Sequence, residues 1–442
     1  MTLVDSRGKS MRLEGTAALR VSGGHLNVGK AAFSLPVRIT GTGLMRFNNR
    51  KYRGHFLITG HGLLNVLDIE QYLRGVLPAE VGASWPMEAL RAQAIISRTF
   101  AVRQSFARAK RGYDVTDTVS DQVYRGAGVE AGATNQAVAS TEREILTYGS
   151  DLAFTPFHSD SGGHTANNAD VWGKNLPYLT GVPEPVTYAS PNASWTARVP
   201  RSRIESAVGG IGHISEVRVS EVDKGGRAVK VTLVGARGTK TLKASQFRTA
   251  LGSNLIKSTM LTPTGGAFTA APTAPLPPVA PPVRPTQPTR PGKNAPAKPT
   301  PPVPTSRDPM TLEQEKRLAQ LTAEGVFTTS ELVDMLSNPD KKKGYLYIGL
   351  QRTGGRMPTQ PANPVKPTPK TAPTPAPASY RGPATGGFTV AREGDTFIFY
   401  GRGWGHGVGL SQWGCQTLAK NGWTAERILM HYYPGTAVKR YR

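Results

Sequence analysis

Two proline-rich stretches limit how much of this 442-residue chain can form a packed fold. Residues 272–304 contain 14 prolines, and residues 358–383 contain nine. Because proline fixes φ and has no N–H to donate, such stretches favour extended polyproline II spacers of ~3.1 Å per residue over helices or sheets. A folded domain must therefore be assembled from residues before the first spacer and after the second, with about 120 residues inserted between them.

The residues outside the spacers predict an α+β fold. Short alternating runs separated by Gly and Asn in residues 11–66 are typical of strands, and residues 66–182 mix helix and strand patterns. The other predicted elements are helices at 86–108, near 130–142 and near Ala244 to Leu251, and a hairpin within 197–261. A further strand is expected from residue 386 onward, beyond the insertion, and Ser411 and Thr424 are predicted to cap the last two helices.

These patterns divide the chain into five segments. They are the first part of the main domain (1–261), a Pro-rich linker (262–309), a helical hairpin (310–350), a Pro-rich basic linker (351–384) and the second part of the main domain (385–442), which holds a Gly-rich loop and C-terminal helices. The hairpin prediction rests on two helix starts, Thr311 with Gln314 and Thr328 with Glu331, and a turn at Gly325. Its core is too small for independent folding.

One carboxylate, Glu80, stands out between two predicted helices. Asp68 followed three residues later by Gln71 is typical of a helix start, and Gly75 is typical of a helix end. This pattern predicts that Glu80 lies in a turn after a short helix. Nearby apolar residues, such as Val76 and Leu77, predict a raised pKa for its carboxyl group.

The second of these helices carries a guanidinium on its apolar face. Ser84 can cap this helix, and Pro86 is placed in its first turn. Arg98 follows Leu90 and Ala94 at helical spacing, so its side chain is predicted to be buried and to require an anion. Two alternatives remain open: Arg98 pairs with a structural carboxylate, or it orients Glu80 or an anionic substrate group.

Several blocks of the chain match one known family. They are EQYLRGVLPAEV and ALRAQAIISRTFAV around Glu80, SDQVYRG at 120–126, FHSDSGGHT at 157–165, WGKNLPYLTGV at 172–182 and GRGWGHGVGLSQWG at 401–414. Through these blocks, which occur in the expected order, the chain resembles the SpoIID/LytB family over roughly residues 40–261 and 385–442. Known members are peptidoglycan lytic transglycosylases or enhancers of the amidase that strips stem peptides, so the resemblance implies cell-wall work. The insertion resembles the short helical hairpin called SHOCT, which implies a role in partner binding or self-association.

A lytic transglycosylase needs only one carboxylate. Ordinary glycosidases use two, whereas here the 6-hydroxyl of the muramic acid is the nucleophile, and such intramolecular attack can have an effective molarity of about 10⁵ M or more. Glu80 resembles the family's catalytic glutamate by position. It would protonate the glycosidic oxygen and remove the hydroxyl proton, giving an anhydro sugar.

The resemblance implies roles for further residues. Arg98 matches the family's functional arginine and Tyr178 its tyrosine, so both are expected to act with Glu80 in catalysis. The family's lysine position is Thr180 here, and Lys174 of the same loop can substitute for it. Contacts with the glycan are expected from Gln122, Tyr124, His158, Ser161, His406, Ser411 and Gln412, with Trp404 and Trp413 as stacking surfaces.

Other chemistries receive less support. The spacing of His158, His164 and His406 does not match a typical zinc site, so no metal or other cofactor is expected. Cys415 with His406 as base would be needed for a cysteine peptidase, but a single small thiol is usually buried. Asp160 and Asp170 are the candidates for a second carboxylate if the protein were a hydrolase.

The chain is strongly basic, with 54 Lys and Arg against 30 Asp and Glu and a net charge of +24. The acid-free residues 263–307 and 341–392 hold five and nine of these cations. Such tails are expected to adhere to an acidic matrix such as cell-wall polymer, with nucleic acid as the rival partner. No recognition helix or aromatic-basic motif supports the rival, so we expect no nucleic acid binding.

An extracytoplasmic location in the cell envelope is expected, because the implied substrate lies there. No signal peptide or apolar transmembrane run is visible, and Met1 to Arg12 is polar. We interpret the chain as a mature or wrongly started form, with an unseen export route as the alternative. The single cysteine excludes internal disulfides and does not decide the compartment.

Two functions of different class remain. The first is a lytic transglycosylase that uses Glu80 on peptidoglycan glycan strands, which the pairing of Glu80 with Arg98 favours. The second is a non-catalytic wall-binding enhancer of an N-acetylmuramoyl-L-alanine amidase, which Thr180 and the protein-binding character of the insertion favour.

Overall fold

The computed structural model describes residues 1–184, 190–264, 341–353 and 387–441, together with Leu318, Leu321 and Met335. The predicted α+β class is confirmed. The helices are α1 (Ile69–Glu80), α2 (Met87–Ala107), α3 (Gly132–Ser140), α4 (Asn168–Trp172), α5 (Arg201–Val208), α6 (Ala244–Leu251), α7 (Lys342–Thr353), α8 (Gln412–Lys420) and α9 (Ala425–Tyr432), with a 3₁₀ helix at Gly126–Val129. None of the helices in these ranges is both long and apolar enough to span a membrane.

Antiparallel strands dominate the first 66 residues. The strands are β1 (Thr2–Val4), β2 (Ser10–Arg12), β3 (Arg20–Ser22), β4 (His25–Val28), β5 (Ala31–Ser34), β6 (Val37–Thr40), β7 (Met45–Phe47), β8 (Arg50–Tyr52), β9 (His55–Thr59) and β10 (Gly62–Val66). Five of them form a sheet in the order β10-β9-β6-β1-β2. Alternate side chains of these strands, such as Leu3, Ile39 and Phe56, are buried in one apolar cluster, as the period-2 pattern predicts.

Helix α2 lies at the centre of the molecule. Leu90 and Ala94 pack into one apolar cluster with α1 and α3, whereas Ala92 and Ile96 pack into a second cluster with α8 and α9. A helix that is apolar on opposite faces must be covered on both. The elements that follow the 120-residue insertion therefore complete the core around α2.

Among the strands after residue 140, those that precede the insertion pair with those that follow it. They are β11 (Glu144–Tyr148), β12 (Asp151–Leu152), β13 (Phe157–His158), β14 (Trp195–Pro200), β15 (Ile214–Val222), β16 (Ala228–Gly235), β17 (Gly238–Lys243), β18 (Met260–Thr262), β19 (Phe388–Thr389), β20 (Ala391–Glu393), β21 (Thr396–Arg402), β22 (Leu410–Ser411) and β23 (Ala437–Arg440). Strand β21 lies between β14 and β18, β22 pairs in parallel with β13, and β23 pairs with β11. Strand β19 also pairs with β15, so residues on either side of the insertion share four sheets.

The prediction that Gly75 ends the first helix was wrong. Helix α1 begins as predicted, with Asp68 accepting hydrogen bonds from the N–H groups of Glu70 and Gln71 at 2.8 and 3.2 Å. It then continues through Gly75 and Pro78, so that Glu80 is its last residue. A Cβ at Gly75 would lie 2.5 Å from Cε2 of Tyr124, which shows that this glycine permits close packing.

Helix α2 also starts differently from the prediction. Its N-cap residue is Pro86, and no side chain caps it, so Ser84 does not have the expected role. The later caps match expectation: Ser411 accepts a hydrogen bond from Gly414 N, and Thr424 accepts one from Arg427 N. Helix α6 occupies the predicted residues.

Substituting Gly75 with alanine is expected to destabilise the protein by about 1–3 kcal/mol, because the added methyl overpacks a filled site. The free energy of unfolding from urea titration measures this. Gly132, also helical, has no heavy atom within 4 Å of a built Cβ. Gly132→Ala is the matched control and should be neutral or stabilising by up to about 1 kcal/mol. Equal effects of the two substitutions would contradict the packing role.

The predicted hairpin and both Pro-rich linkers fall almost wholly outside the described residues. Leu318, Leu321 and Met335 are buried in helical positions and form an apolar cluster with Tyr345 and Leu346 of α7. Helix α7 was not predicted. The likeness of this insertion to a SHOCT hairpin stays a prediction.

Candidate active site

Glu80 is partly buried at the C-terminal end of α1. Its Oε1 accepts a hydrogen bond of 2.6 Å from the backbone N–H of Val123. Burial raises the pKa of the Glu80 carboxyl group, while the Val123 N–H, the Gln412 side chain and the Arg125 guanidinium oppose that rise. A carboxyl group whose pKa is raised stays protonated to higher pH, as a general acid requires.

Three distant parts of the sequence meet at this carboxylate. Glu80 comes from α1, Val123 and Arg125 come from the SDQVYRG segment, and Gln412 is the first residue of α8. Arg125 is exposed. The Gln412 side chain is buried, and it acts on the Glu80 carboxyl group, whose pKa it lowers. This arrangement combines an acid, a cation and two N–H donors.

Arg98 is paired with a structural carboxylate in this structure. Its side chain is fully buried, and its Nε and Nη2 atoms donate to the two carboxylate oxygens of Glu70 at 2.8 and 2.7 Å. The guanidinium also donates to the carbonyl oxygens of Glu144 and Val138 at 3.0 and 3.3 Å. Of the two alternatives drawn from the sequence, the structural carboxylate is the one observed.

Tyr178 is likewise engaged in packing. Its hydroxyl accepts a hydrogen bond of 3.0 Å from Phe154 N, and its ring centroid lies 4.9 Å from that of Tyr148. The side chain is 5% exposed. Thr180 pairs through its backbone with Asn167, and Lys174 is exposed with its carbonyl bound by Asn168. The described contacts thus place neither Tyr178 nor Lys174 against Glu80.

Gln122 and Tyr124, which were expected to contact the glycan, are buried and hydrogen-bonded within the fold. Gln122 is fully buried, accepts a hydrogen bond from the Tyr72 hydroxyl at 3.1 Å and donates to Ser97 O at 3.2 Å. The Tyr124 hydroxyl donates to Asn65 Oδ1 at 2.8 Å. Both side chains anchor the segment that presents the Val123 N–H to Glu80.

The predicted serine ligands lie in a buried polar network. Ser161 and Ser411 are both fully buried, so contact with a glycan is excluded in this conformation. The Ser161 hydroxyl donates to Oε1 of Glu184, and Ser411 Oγ accepts a hydrogen bond from Ser161 N at 3.2 Å. Glu184 was missed from the sequence, because an isolated glutamate in VPEP carries no pattern that marks burial.

The rings of His158 and His406 lie side by side, with centroids 5.4 Å apart. His158 is 5% exposed, and its Nδ1 donates to Val408 O at 3.2 Å. Burial lowers the pKa of His158 well below its usual value and lowers that of the partly buried His406 to about 4. Burial thus contradicts direct glycan contact by His158, whereas His406, 4.8 Å from the Trp172 ring, stays a candidate. Among the residues that the structure describes, no group of three or more His, Cys, Asp or Glu side chains could hold a metal ion.

The remaining nucleophile and carboxylate candidates lie elsewhere. Cys415 is 2% exposed, and burial raises the pKa of its thiol, which disfavours a nucleophilic thiolate. Asp160 is 2% exposed and accepts a hydrogen bond from Gly162 N at 2.9 Å. Asp170, whose pKa is raised by burial and by Asp223, belongs to α4. None of these groups acts on Glu80 in the described structure.

A pair of tryptophan rings lies next to Gln412. Trp85, just after α1, and Trp413, next to Gln412, have ring centroids 5.2 Å apart and are both partly buried. Trp172 and Trp404 are more exposed, at 48% and 38%. These last two rings offer faces on which a sugar can stack.

Comparison with known proteins gives consistent matches. Residues 59–148 match the family model SpoIID, described as stage II sporulation protein. The chain is 32% identical over 204 residues to stage II sporulation protein D of Bacillus subtilis, covering 42% of this chain and 59% of that protein. It is 33% identical over 134 residues to the amidase enhancer of B. subtilis, covering 30% and 18%. An uncharacterized protein of Brachyspira hyodysenteriae is 33% identical over 201 residues, covering 44% and 53%.

Each match covers only part of the related protein. The chain spans less than two thirds of the length of these curated relatives. The family model includes Glu80 and the segment that supplies Val123 and Arg125, and it ends before α8, which supplies Gln412.

Proposed function

This chain belongs to the SpoIID/LytB family through the domain that contains Glu80, and on this premise we propose that it is a peptidoglycan lytic transglycosylase. It cleaves the MurNAc-GlcNAc glycosidic bond of glycan strands and leaves anhydro-MurNAc ends. It acts outside the cytoplasm, in the cell envelope, where its basic segments adhere to acidic wall polymer.

The environment of Glu80 is the observation that carries this proposal. The carboxyl group is partly buried with a raised pKa, and the groups that act on it are a backbone N–H, an amide and a guanidinium. None of these is a second carboxylate, so the site suits a reaction that needs one acid/base residue.

The chemistry balances with Glu80 alone. The protonated carboxyl group donates its proton to the glycosidic oxygen, and the bond between that oxygen and C1 of the muramic acid breaks. The 6-hydroxyl of the same sugar bonds to C1 and gives its proton to the Glu80 carboxylate. No water is consumed, and Glu80 ends protonated. The Val123 N–H and the Arg125 guanidinium stabilise the carboxylate that exists between these two transfers.

Product analysis tests the reaction type. Purified protein is incubated with peptide-free glycan strands, and the fragments are separated and weighed by mass spectrometry. A transglycosylase gives ends that are one water lighter than hydrolytic ends and that resist borohydride reduction. Reducing ends in their place would show hydrolysis and contradict the proposed mechanism.

Two observations favour a second candidate, a non-catalytic enhancer of a cell-wall amidase. Arg98 and Tyr178, which were expected to assist Glu80, are held by Glu70 and Phe154. One relative is named an amidase enhancer. The enhancer function requires that an added N-acetylmuramoyl-L-alanine amidase releases stem peptides faster in the presence of this protein. The Glu80→Gln variant should increase that rate equally.

A further inference from the structure

A buried carboxyl group lies beneath the first turn of α8. Glu184 is 9% exposed, and its Oε1 accepts a hydrogen bond from the Ser161 hydroxyl. Its Oε2 accepts one of 2.5 Å from the hydroxyl of Tyr432 in α9. Two separate elements thus hold the two oxygens, which fixes the carboxyl plane.

The first turn of α8 rests directly on this group. A Cβ at Gly414 would lie 2.2 Å from Glu184 Oε2 and 2.2 Å from the Tyr432 hydroxyl, so only glycine allows the helix to approach so closely. Ser411, the N-cap residue, accepts hydrogen bonds from the N–H groups of Ser161 and Gly414 at 3.2 and 3.3 Å. The Ser411 hydroxyl in turn hydrogen-bonds to Glu184. The start of α8 is therefore tied to Glu184 at two adjoining points.

Gln412 lies between Ser411 and Gly414, and its side chain reaches Glu80. Gln412 follows Ser411 directly, and its side chain acts on the Glu80 carboxylate. Trp413 N donates to Ser159 O at 3.0 Å, which prevents the turn from rotating. We propose that Glu184 is a positioning residue for Glu80, because it fixes the first turn of α8 so that Gln412 faces the Glu80 carboxyl group.

The charged and titratable groups around Glu184 are consistent with a buried carboxyl group held in one position. Asp160, Tyr432, Cys415 and Arg227 face it. Burial and the Asp160 charge raise the pKa of Glu184 to about 7. Hydrogen bonds from Ser161, Tyr432 and Ser411 oppose that rise. The Arg227 guanidinium donates to the carbonyl oxygens of Ser161 and His164 and so holds the same loop.

The test is a double-substitution cycle with the Glu80 pKa as its readout. The carboxyl ¹³C resonance of Glu80 is assigned as the one absent from Glu80→Gln and is titrated by NMR in the parent, Glu184→Gln, Gln412→Ala and the double variant. Gln412 lowers the pKa of Glu80. Gln412→Ala should therefore raise this pKa. Glu184→Gln should raise it as well, because the amide nitrogen that replaces one carboxylate oxygen cannot accept a hydrogen bond, so either Ser161 or Tyr432 loses its acceptor. The Glu80 pKa of the double variant should equal that of Gln412→Ala alone.

Activity supplies a second readout, and this part rests on the proposed function. Glu184→Gln should lower kcat by about tenfold, with KM changed less than about twofold, because the glycan binds an unchanged surface. Tyr432→Phe, which keeps the ring in place, should give a smaller loss of the same kind. If the parent protein cleaves no glycan, the proposed function fails, whereas the NMR titration still decides the positioning role.

Glu205→Gln is the matched control. Glu205 is a partly buried carboxylate that accepts a hydrogen bond from Ile214 N at 2.9 Å. It belongs to α5, whose residues Ile204 and Val208 pack in a separate apolar cluster with β15. It should leave both the Glu80 pKa and kcat unchanged. A lower melting temperature for Glu184→Gln with an unchanged Glu80 pKa would assign Glu184 a merely structural role and overturn the proposal.

Discussion

Replacement of Glu80 by glutamine is expected to slow glycan cleavage by about 10²- to 10⁴-fold, the range for loss of a general acid/base group. Glutamine keeps the size of the side chain and can still accept the Val123 N–H, so the site should stay folded. Only the ability of the side chain to give up and take back a proton near neutral pH is lost. The initial rate of anhydro-end formation on peptide-free strands measures this effect.

The pH dependence of the parent enzyme follows from the same residue. Glu80 must be protonated when the glycan binds, so kcat/KM should fall as pH rises through its pKa. Burial raises this pKa above the ordinary value of 4.5, and the falling limb should therefore lie above pH 4.5. A limb at or below that value would contradict the role of burial.

Stability provides the control for this substitution. Because the folded-state pKa of Glu80 is raised, the stability that its protonated form contributes is present below pH 4.5 and is lost as pH rises through the folded-state pKa. The Glu80→Gln variant has no carboxyl group to deprotonate and so avoids this loss of stability. At pH 7 the melting temperature of the variant should therefore equal or exceed that of the parent. An inactive variant that is also much less stable would leave misfolding as the cause and contradict the catalytic assignment.

Breaking the buried Arg98–Glu70 pair is expected to destabilise the protein by about 3–5 kcal/mol. Arg98 has no exposed surface, and Glu70 accepts from two of its nitrogens, so Glu70→Ala leaves a buried guanidinium without its carboxylate. The free energy of unfolding in urea measures the loss. Arg198→Ala breaks the exposed Arg198–Glu393 pair and should have little effect.

This experiment also separates structure from catalysis. Arg98→Lys keeps a charge but loses the two-point contact with Glu70, so it should be less stable while its folded fraction retains kcat. A stable Arg98→Lys variant with greatly reduced kcat would restore the catalytic role that the sequence suggested.

Local patterns in the sequence predicted much of the fold. The caps at Asp68, Ser411 and Thr424 depend on hydrogen bonds within three residues, so a short window contains all the atoms involved. The alternation of the first 66 residues and the helix at Ala244–Leu251 follow from equally local periodicity. The need of Arg98 for an anion was predicted for the same reason, because helical spacing alone placed it on an apolar face.

Long-range contacts decided the rest. The carboxylate partner of Arg98 comes from Glu70, the clash that requires Gly75 comes from Tyr124, and the groups around Glu80 come from Arg125 and residues beyond the insertion. By itself the sequence determined where several of the helices and strands lie and that Glu80 is an isolated carboxylate near apolar residues. Only the tertiary structure decided which polar group meets which, because burial makes each donor and acceptor find a partner wherever the packed chain supplies one.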